Sequence, residues 1–523
     1  VSIRPAALLS AVVAAGAFAA ATAAYADVTT YHGDALRTGW FSNETALNTS
    51  NVNASSFGLL KTVVLDGRVD AEPLFLSSQP IDGQGTHDVV YVATENNSVY
   101  ALDAATGAIL WQRNFGAPVP DSYKSGDDNV YPVMGILGTP TIDRSLNALF
   151  LVADTFNSSS DVFTLHSIAL NNGSDNVTPP RPIAATALIQ GGARWVFNSQ
   201  YQLQRAGLLE ANGSIYVTFG SNGDINPNIS RGTILRYDAT TLVPENLHLN
   251  DRLNEHRSSP APFYLTSIWQ SGYAPASDAQ GNIYFSTGNS DWFTPTYGPL
   301  NRPESIVKLN GDLMKMLSSF TPSNYFSLDG GDEDVGSGGF MLLPTQRGAF
   351  KHLAVAGGKD GRLFLMNADK LGGFTPSGPD HVLQTVSQGG CWCGPASYLG
   401  ADGHQRVVTG GGNGVTSWRL AEGRPPTLTA EGSTGSGPVQ GLPDDGGTFP
   451  VVSSNGTTAG TAIVWFVQRP QNSQDGEPGT PVVLQAYDLT NLTQPLFSAQ
   501  AGTWRHAVNS NANIVPTVAG GKV

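Results

Sequence analysis

The sequence predicts an all-β fold: an eight-bladed β-propeller with four-stranded blades, the last blade shared between the two ends of the chain and incomplete on its C-terminal side. Three observations predict it. A degenerate unit recurs from end to end at roughly 50 to 70 residues, the scale of a four-stranded blade with its loops. Within each unit a Gly/Pro-marked strand precedes a β-rich run of about seven residues, and a further strand then runs into a polar corner. The composition agrees, with 60 Gly, 33 Pro and only 13% charged residues in 523, and no long stretch carries an amphipathic helical pattern.

The β-rich middle runs are residues 89–95, 148–154, 214–220, 282–288, 352–358, 406–412 and 462–468. Polar corners follow them at 102–107, 169–174, 237–242, 308–313, 366–371, 419–424 and 487–492. The opening strands give one member more, at 70–76, 137–143, 204–210, 271–278, 336–344, 391–399, 447–454 and 513–519. A propeller must close, so residues 57–66 are expected to supply the outer strand of the eighth blade. The expected organisation is a leader at 1–26, an N-terminal extension at 27–56 and a single propeller domain at 57–523.

The leader has the form of a cleavable export signal: Arg4 gives a positive start, residues 6–23 are small and apolar, and Ala24-Tyr25-Ala26 is an A-x-A cleavage site before Asp27. A periplasmic or secreted, monomeric protein without a membrane span is expected, because no later apolar run approaches the length of one. The formal net charge of −14 and the lack of basic runs argue against a nucleic-acid partner. Cys391 and Cys393 are the only cysteines, which leaves no set for a structural zinc or iron–sulfur site. At this spacing on a strand they read as two buried thiols, with a strained disulfide as the alternative. Gly410-Gly411-Gly412-Asn413-Gly414 resembles a phosphate cradle only in composition and is expected to be a hairpin.

The best-preserved corner is Ala101-Leu102-Asp103-Ala104-Ala105-Thr106-Gly107, followed by Trp111. Asp103 and Thr106 can tie a tight turn, Gly107 can take positive φ, and Trp111 offers a flat surface to the next blade. This pattern resembles the tryptophan-docking repeat of the quinoprotein, or PQQ-like, β-propellers. Further stretches, 31–39, 268–272 and 334–339, look like an exported bacterial branch of that superfamily. The resemblance implies a propeller and leaves activity open, since the superfamily includes both alcohol dehydrogenases and non-catalytic assembly proteins. Classical alcohol-oxidising members present two adjacent cysteines under the cofactor; here the residues are Cys391-Trp392-Cys393.

Residues at and just before the start of each innermost strand should ring one mouth of the channel. That ring holds Asp70 and Glu72, Gln204 and Arg205, Trp269 and Gln270, then Asp332, Asp334 and Ser337, and Trp392. With eight blades, the first and fifth lie opposite each other, so their carboxylates are not expected to pair. Asp332 and Asp334 are the candidate catalytic carboxylates and the candidate ligands of a hard cation such as calcium, with solvated loop acids as the plainer reading. Trp269, Gln270, Arg205 and Trp392 are the candidate binding residues, with inter-blade packing the alternative for the two tryptophans. His32 and Arg37 either cap the channel or satisfy loop backbone groups, and Lys359-Asp360 reads as part of a tight hairpin turn. Three functions stay open: a module binding a small molecule, glycan or protein at the mouth; a PQQ- and calcium-dependent dehydrogenase of an alcohol or sugar; and a polysaccharide lyase or hydrolase.

Overall fold

The computed structural model describes residues 26–124, 130, 132–222, 230–254, 265–437, 447–468, 480–504 and 514–523. The export-signal pattern up to Tyr25 therefore lies outside the described residues, as does the first residue of the eighth opening strand. Among the described residues the chain builds seven four-stranded antiparallel units. The first consists of Leu74–Ile81, Gly85–Ala93, Ser98–Asp103 and Ile109–Asn114 in sequential order. The fifth consists of Phe340–Leu342, Leu353–Gly357, Arg362–Asn367 and Gln384–Ser387, and the others repeat the plan. The predicted middle runs all fall on second strands, such as Ala148–Phe156, Ser214–Ser221 and Ile463–Gln468. Most of their residues are buried, since both faces of each sheet pack on a neighbour.

Two expectations need correction. The propeller has seven blades rather than eight. Residues 57–66 and 514–519 are not strands; they pack as irregular chain beside the first and seventh sheets. Phe57 meets Trp465 and Phe497 of the seventh sheet, Val63 and Leu65 pack on Val92, Tyr100 and Leu102 of the first, and Val515 and Val518 enter the core. Apolar burial fills this seam without a backbone ladder. The opening strands also start later than expected, at Leu74, Thr141, Ala276, Phe340, Ala396 and Val451. The residues ahead of them converge on the axis, where backbones cross too closely for pairing. A Cβ on Gly339 would lie 2.4 Å from the Tyr273 ring, and one on Gly394 2.3 Å from it.

The axis itself is occupied by residues 28–41, which touch every sheet in turn. Val28 and Phe75 exchange backbone hydrogen bonds at the first sheet, and Ile142 N donates to Thr29 O at the second. Ser277 N donates to Ala35 O, Leu342 N to Leu36 O, Ser397 N to Thr38 O and Val452 N to Gly39 O, which covers the fourth to seventh. Trp40–Phe41 then adds a parallel strand to Val451–Ser453. The third sheet is reached by the Arg37 side chain, whose Nη2 donates to Leu208 O. Fully buried Arg37 also donates to Pro275 O, Tyr31 O, Asp34 O and Thr30 Oγ1. Burial lowers its pKa to about 10, with Asp34 the main group opposing the shift, so it stays charged at neutral pH. Both sequence alternatives for Arg37 hold together: it closes the axis by satisfying backbone carbonyls.

The docking motif behaves as its chemistry predicts. Asp103 Oδ1 accepts from Ala105 N, Thr106 N and Thr106 Oγ1, and Gly107 has φ +71°. Trp111 Nε1 donates to Leu170 O of the second sheet at 3.0 Å, and its ring lies on Gly173. Trp111→Ala is therefore expected to destabilise the protein by about 3 kcal/mol, measured by urea unfolding.

The hub predicts a pH signature. Burial lowers the His32 pKa to about 3, so its contribution is complete once the pH exceeds the unfolded value near 6.5. Burial raises the Glu72 carboxyl to about 8, although His32 N donates to its Oε2 at 2.7 Å. Stability held by the protonated Glu72 is present below its unfolded pKa and lost as pH rises through 8. Between about pH 6.5 and 8 the melting temperature should fall more steeply for the wild type than for Glu72→Gln, as thermal scans across that window would show.

Candidate functional site

The starts of the fourth, fifth and sixth sheets lie side by side, and hydrogen bonds stitch them together. Ser271 Oγ donates to Ser337 O, and Ser337 Oγ donates to Cys391 O at 2.8 Å and Asp334 O at 2.7 Å. Cys391 and Cys393 form a disulfide, which overturns the reading as two thiols. They precede the strand Ala396–Leu399 instead of lying on it, and irregular chain lets residues two apart approach to a Cα separation of 4.9 Å. Trp392, held between the half-cystines, meets Trp269 edge to face with ring centroids 5.7 Å apart.

The carboxylates come next. Asp332 follows the short helix Tyr325–Gly331 in a left-handed conformation, so the stretch expected to be a loop begins as a helix end. Its side chain is 59% exposed, whereas Asp334 is buried. Lys359 Nζ lies 3.0 Å from both Asp332 Oδ2 and Asp334 Oδ2. Asn289 adds its side-chain amide to Asp332 Oδ1 and its backbone N–H to Asp334 Oδ1, each at 3.0 Å. Gly288 permits this approach, because a Cβ there would lie 2.5 Å from Asp334 Oδ1. Burial pulls the Lys359 ammonium down, but Asp334 and Asp332 more than offset it, and its pKa stands above the ordinary lysine value.

Behind Asp334 lie two more acids that the sequence did not single out. Glu304 Oε2 accepts from Val335 N at 2.6 Å, and Asp329 Oδ1 accepts from Ser290 N at 2.9 Å. Burial, with Asp334 close by, raises both carboxyls well above the usual range.

The candidate binding residues divide. Arg205 lies over Trp269, its guanidinium carbon 5.8 Å from the ring centroid, and Lys359 lies over Trp392 at 5.0 Å. The row Arg205, Trp269, Trp392, Lys359 thus joins the third, fourth, sixth and fifth sheets. Gln270 is fully buried and accepts from Ser286 N, so it braces the fourth sheet. Gln204 folds back on Ala206 O. Glu72 faces the axial segment instead of the mouth, and Asp70 neighbours Glu95. With seven sheets instead of eight, the first and fifth still lie on nearly opposite sides of the ring. Lys359 was missed because Lys-Asp-Gly reads as a hairpin turn, and Asn289 because nothing in its neighbourhood carries a motif.

No protein-family model and no curated protein matches the sequence. Among solved structures, the quinohemoprotein alcohol dehydrogenase of Comamonas testosteroni matches 91% of this chain and 73% of its own, with TM-score 0.59 and 16% identity. A europium-containing methanol dehydrogenase matches 91% of this chain and 86% of its own, with TM-score 0.55 and 13% identity. A quinohemoprotein alcohol dehydrogenase of Pseudomonas putida HK5 matches 91% and 73%, with TM-score 0.55 and 14% identity. The chain shares the β-propeller fold of these proteins.

A shared fold carries no cofactor with it, so the fit of a quinone rests on the residues at the mouth. Each indole already carries a cation over its ring, and the rings meet at an interplanar angle of 75°, which leaves no parallel slot between them. A cation shared by Asp332 and Asp334 would have to displace the Lys359 ammonium that bridges them. Among the described residues no three His, Cys, Asp or Glu side chains are grouped to hold a metal ion. The arrangement therefore does not fit a quinone stacked between the tryptophans with calcium on the two aspartates.

Removing Lys359 should reveal how the site is held. Lys359→Met leaves Asp334 buried and unpaired and is expected to cost about 3 to 5 kcal/mol in urea unfolding. Adding Asp334→Asn should recover much of that loss, because the uncompensated charge is then gone.

Proposed function

We propose that the chain is an exported binding module that engages its ligand at the axial mouth over the fourth, fifth and sixth sheets. One observation carries this reading. The exposed carboxylate of Asp332 is fixed by Lys359 and Asn289 beside the Trp269–Trp392 pair, so a hydrogen-bond acceptor is presented to the mouth in a set orientation. Such a carboxylate accepts from hydroxyl or amine donors of a ligand without reorganising. Residues 28–41 occupy the axis, so a ligand would be met on the surface of the mouth. Export is supported by the A-x-A leader pattern and by the Cys391–Cys393 disulfide, which persists in oxidising compartments. No helix among the described residues is long and apolar enough to cross a membrane.

The second reading is a PQQ- and calcium-dependent dehydrogenase of an alcohol or sugar. It is favoured by the similarity in shape to proteins named as alcohol and methanol dehydrogenases. Against it stand the covered indoles and the Lys359 bridge.

A calorimetric titration of the mature chain against oligosaccharides, amines and polyols, with a parallel arm of PQQ plus calcium and dye-linked turnover, separates the two. The binding reading expects saturable ligand uptake without dye reduction, and a loss of about tenfold or more in affinity in Asp332→Asn. Dye reduction that depends on PQQ would overturn it in favour of the dehydrogenase.

A further inference from the structure

The loop between strands Ile283–Ser286 and Ile306–Leu309 is fastened at both legs. On one leg Asn289 bonds Asp332 and Asp334, and Ser290 N bonds Asp329 of the helix Tyr325–Gly331. On the other, Asn301 Nδ2 donates to Ser290 Oγ at 2.9 Å and Thr296 Oγ1 at 3.0 Å, while Tyr297 packs on Phe374 with centroids 4.3 Å apart. Between the legs, Asp291 Oδ1 accepts from Phe293 N at 2.8 Å and Thr294 N at 3.1 Å, which closes a tight turn. This turn leaves Trp292 40% and Phe293 57% exposed. Two large aromatic side chains are thus partly exposed to water on this turn.

The turn and the mouth form one bonded unit, because Asn289, three residues before Trp292, is the residue that orients the exposed Asp332. Exposed aromatic faces on the loop whose Asn289 holds a carboxylate acceptor suit a ligand that alternates apolar C–H faces with hydroxyl donors. That is the chemistry of a neutral carbohydrate chain. An acidic polymer would meet the Asp332 carboxylate and a chain of net charge −14. Two rings in a polar surround are also smaller than the apolar core that a stable protein interface uses.

We infer that the 287–305 loop is a carbohydrate-recognition loop, with Trp292 and Phe293 stacking on sugar faces of a neutral polysaccharide while Asp332 accepts its hydroxyls. The inference rests on the binding reading of the mouth and gives that site its ligand class.

Affinity electrophoresis of the mature full-length chain tests it, in gels containing hydroxyethyl cellulose, galactomannan or mixed-linkage glucan, with alginate as the acidic arm. Retardation by at least one neutral polysaccharide and not by alginate is expected. The apparent Kd should rise about tenfold or more in the Trp292→Ala/Phe293→Ala double variant. Both side chains are exposed, so circular dichroism should show an unchanged fold. Absence of retardation in every neutral gel overturns the inference, and so does equal retention of the double variant. If a ligand found by calorimetry is lost in Asp332→Asn but kept by the double variant, the mouth survives and the loop assignment falls. If the double variant loses polysaccharide while Asp332→Asn keeps it, the loop survives and the mouth reading falls.

Discussion

The structure depends on how one short segment satisfies the inner edge of its ring. Seven sheets packed around an axis each present the backbone of an innermost strand to the centre, and buried N–H and C=O groups cannot be left unpaired without a large cost. Residues 28–41 meet that demand by offering carbonyls in sequence to Ile142, Ser277, Leu342, Ser397 and Val452, with Arg37 reaching the sheet that the backbone does not. Because Arg37 carries several donors in one rigid fork, a single side chain serves carbonyls from three parts of the chain.

That closure separates the axial segment's role from that of the mouth. The N-terminal segment is structural, with the Tyr31 and His32 rings stacked on each other and both meeting Tyr273 edge to face. The mouth keeps charge and aromatic surface. There the same economy of partners recurs, with Lys359 holding two carboxylates and Ser337 tying the fifth sheet to the sixth. The carboxylate that remains exposed is the one whose surroundings orient it without neutralising it from every side.

Much of the scaffold was legible in the sequence, and the reasons for the gaps are physical. The middle strands stood out because burial on both faces enforces continuous apolar runs, as at Ser214–Ser221 and Ile463–Gln468. The docking motif read cleanly only at Asp103 to Trp111, because the positive-φ corner position filled by Gly107 is held elsewhere by the buried leucines Leu242 and Leu313. The eighth blade was over-read: residues 513–519 carry strand-like alternation, yet Val515 and Val518 serve only to fill the seam. The axial segment was invisible as a hub because its bonds are made by backbone, which leaves no periodicity. At the mouth, Asp332, Asp334, Trp269 and Trp392 stood out because acids and indoles near an inner-strand start are conspicuous, and the structure brings each of them into this cluster. Lys359 was hidden in a turn signal, and the burial of Gln270 could not be read because a single polar residue carries no sign of its direction.

Native-state hydrogen exchange of the amides of Ile142, Ser277, Leu342, Ser397 and Val452 tests most directly whether the axial segment is what holds the ring together. If it is, these amides exchange only through global unfolding, with protection equal to that of the central strands and lost together as denaturant rises. Exchange at the rate of exposed loops, while the middle strands stay protected, would show that the ring stands without its hub and would contradict the account.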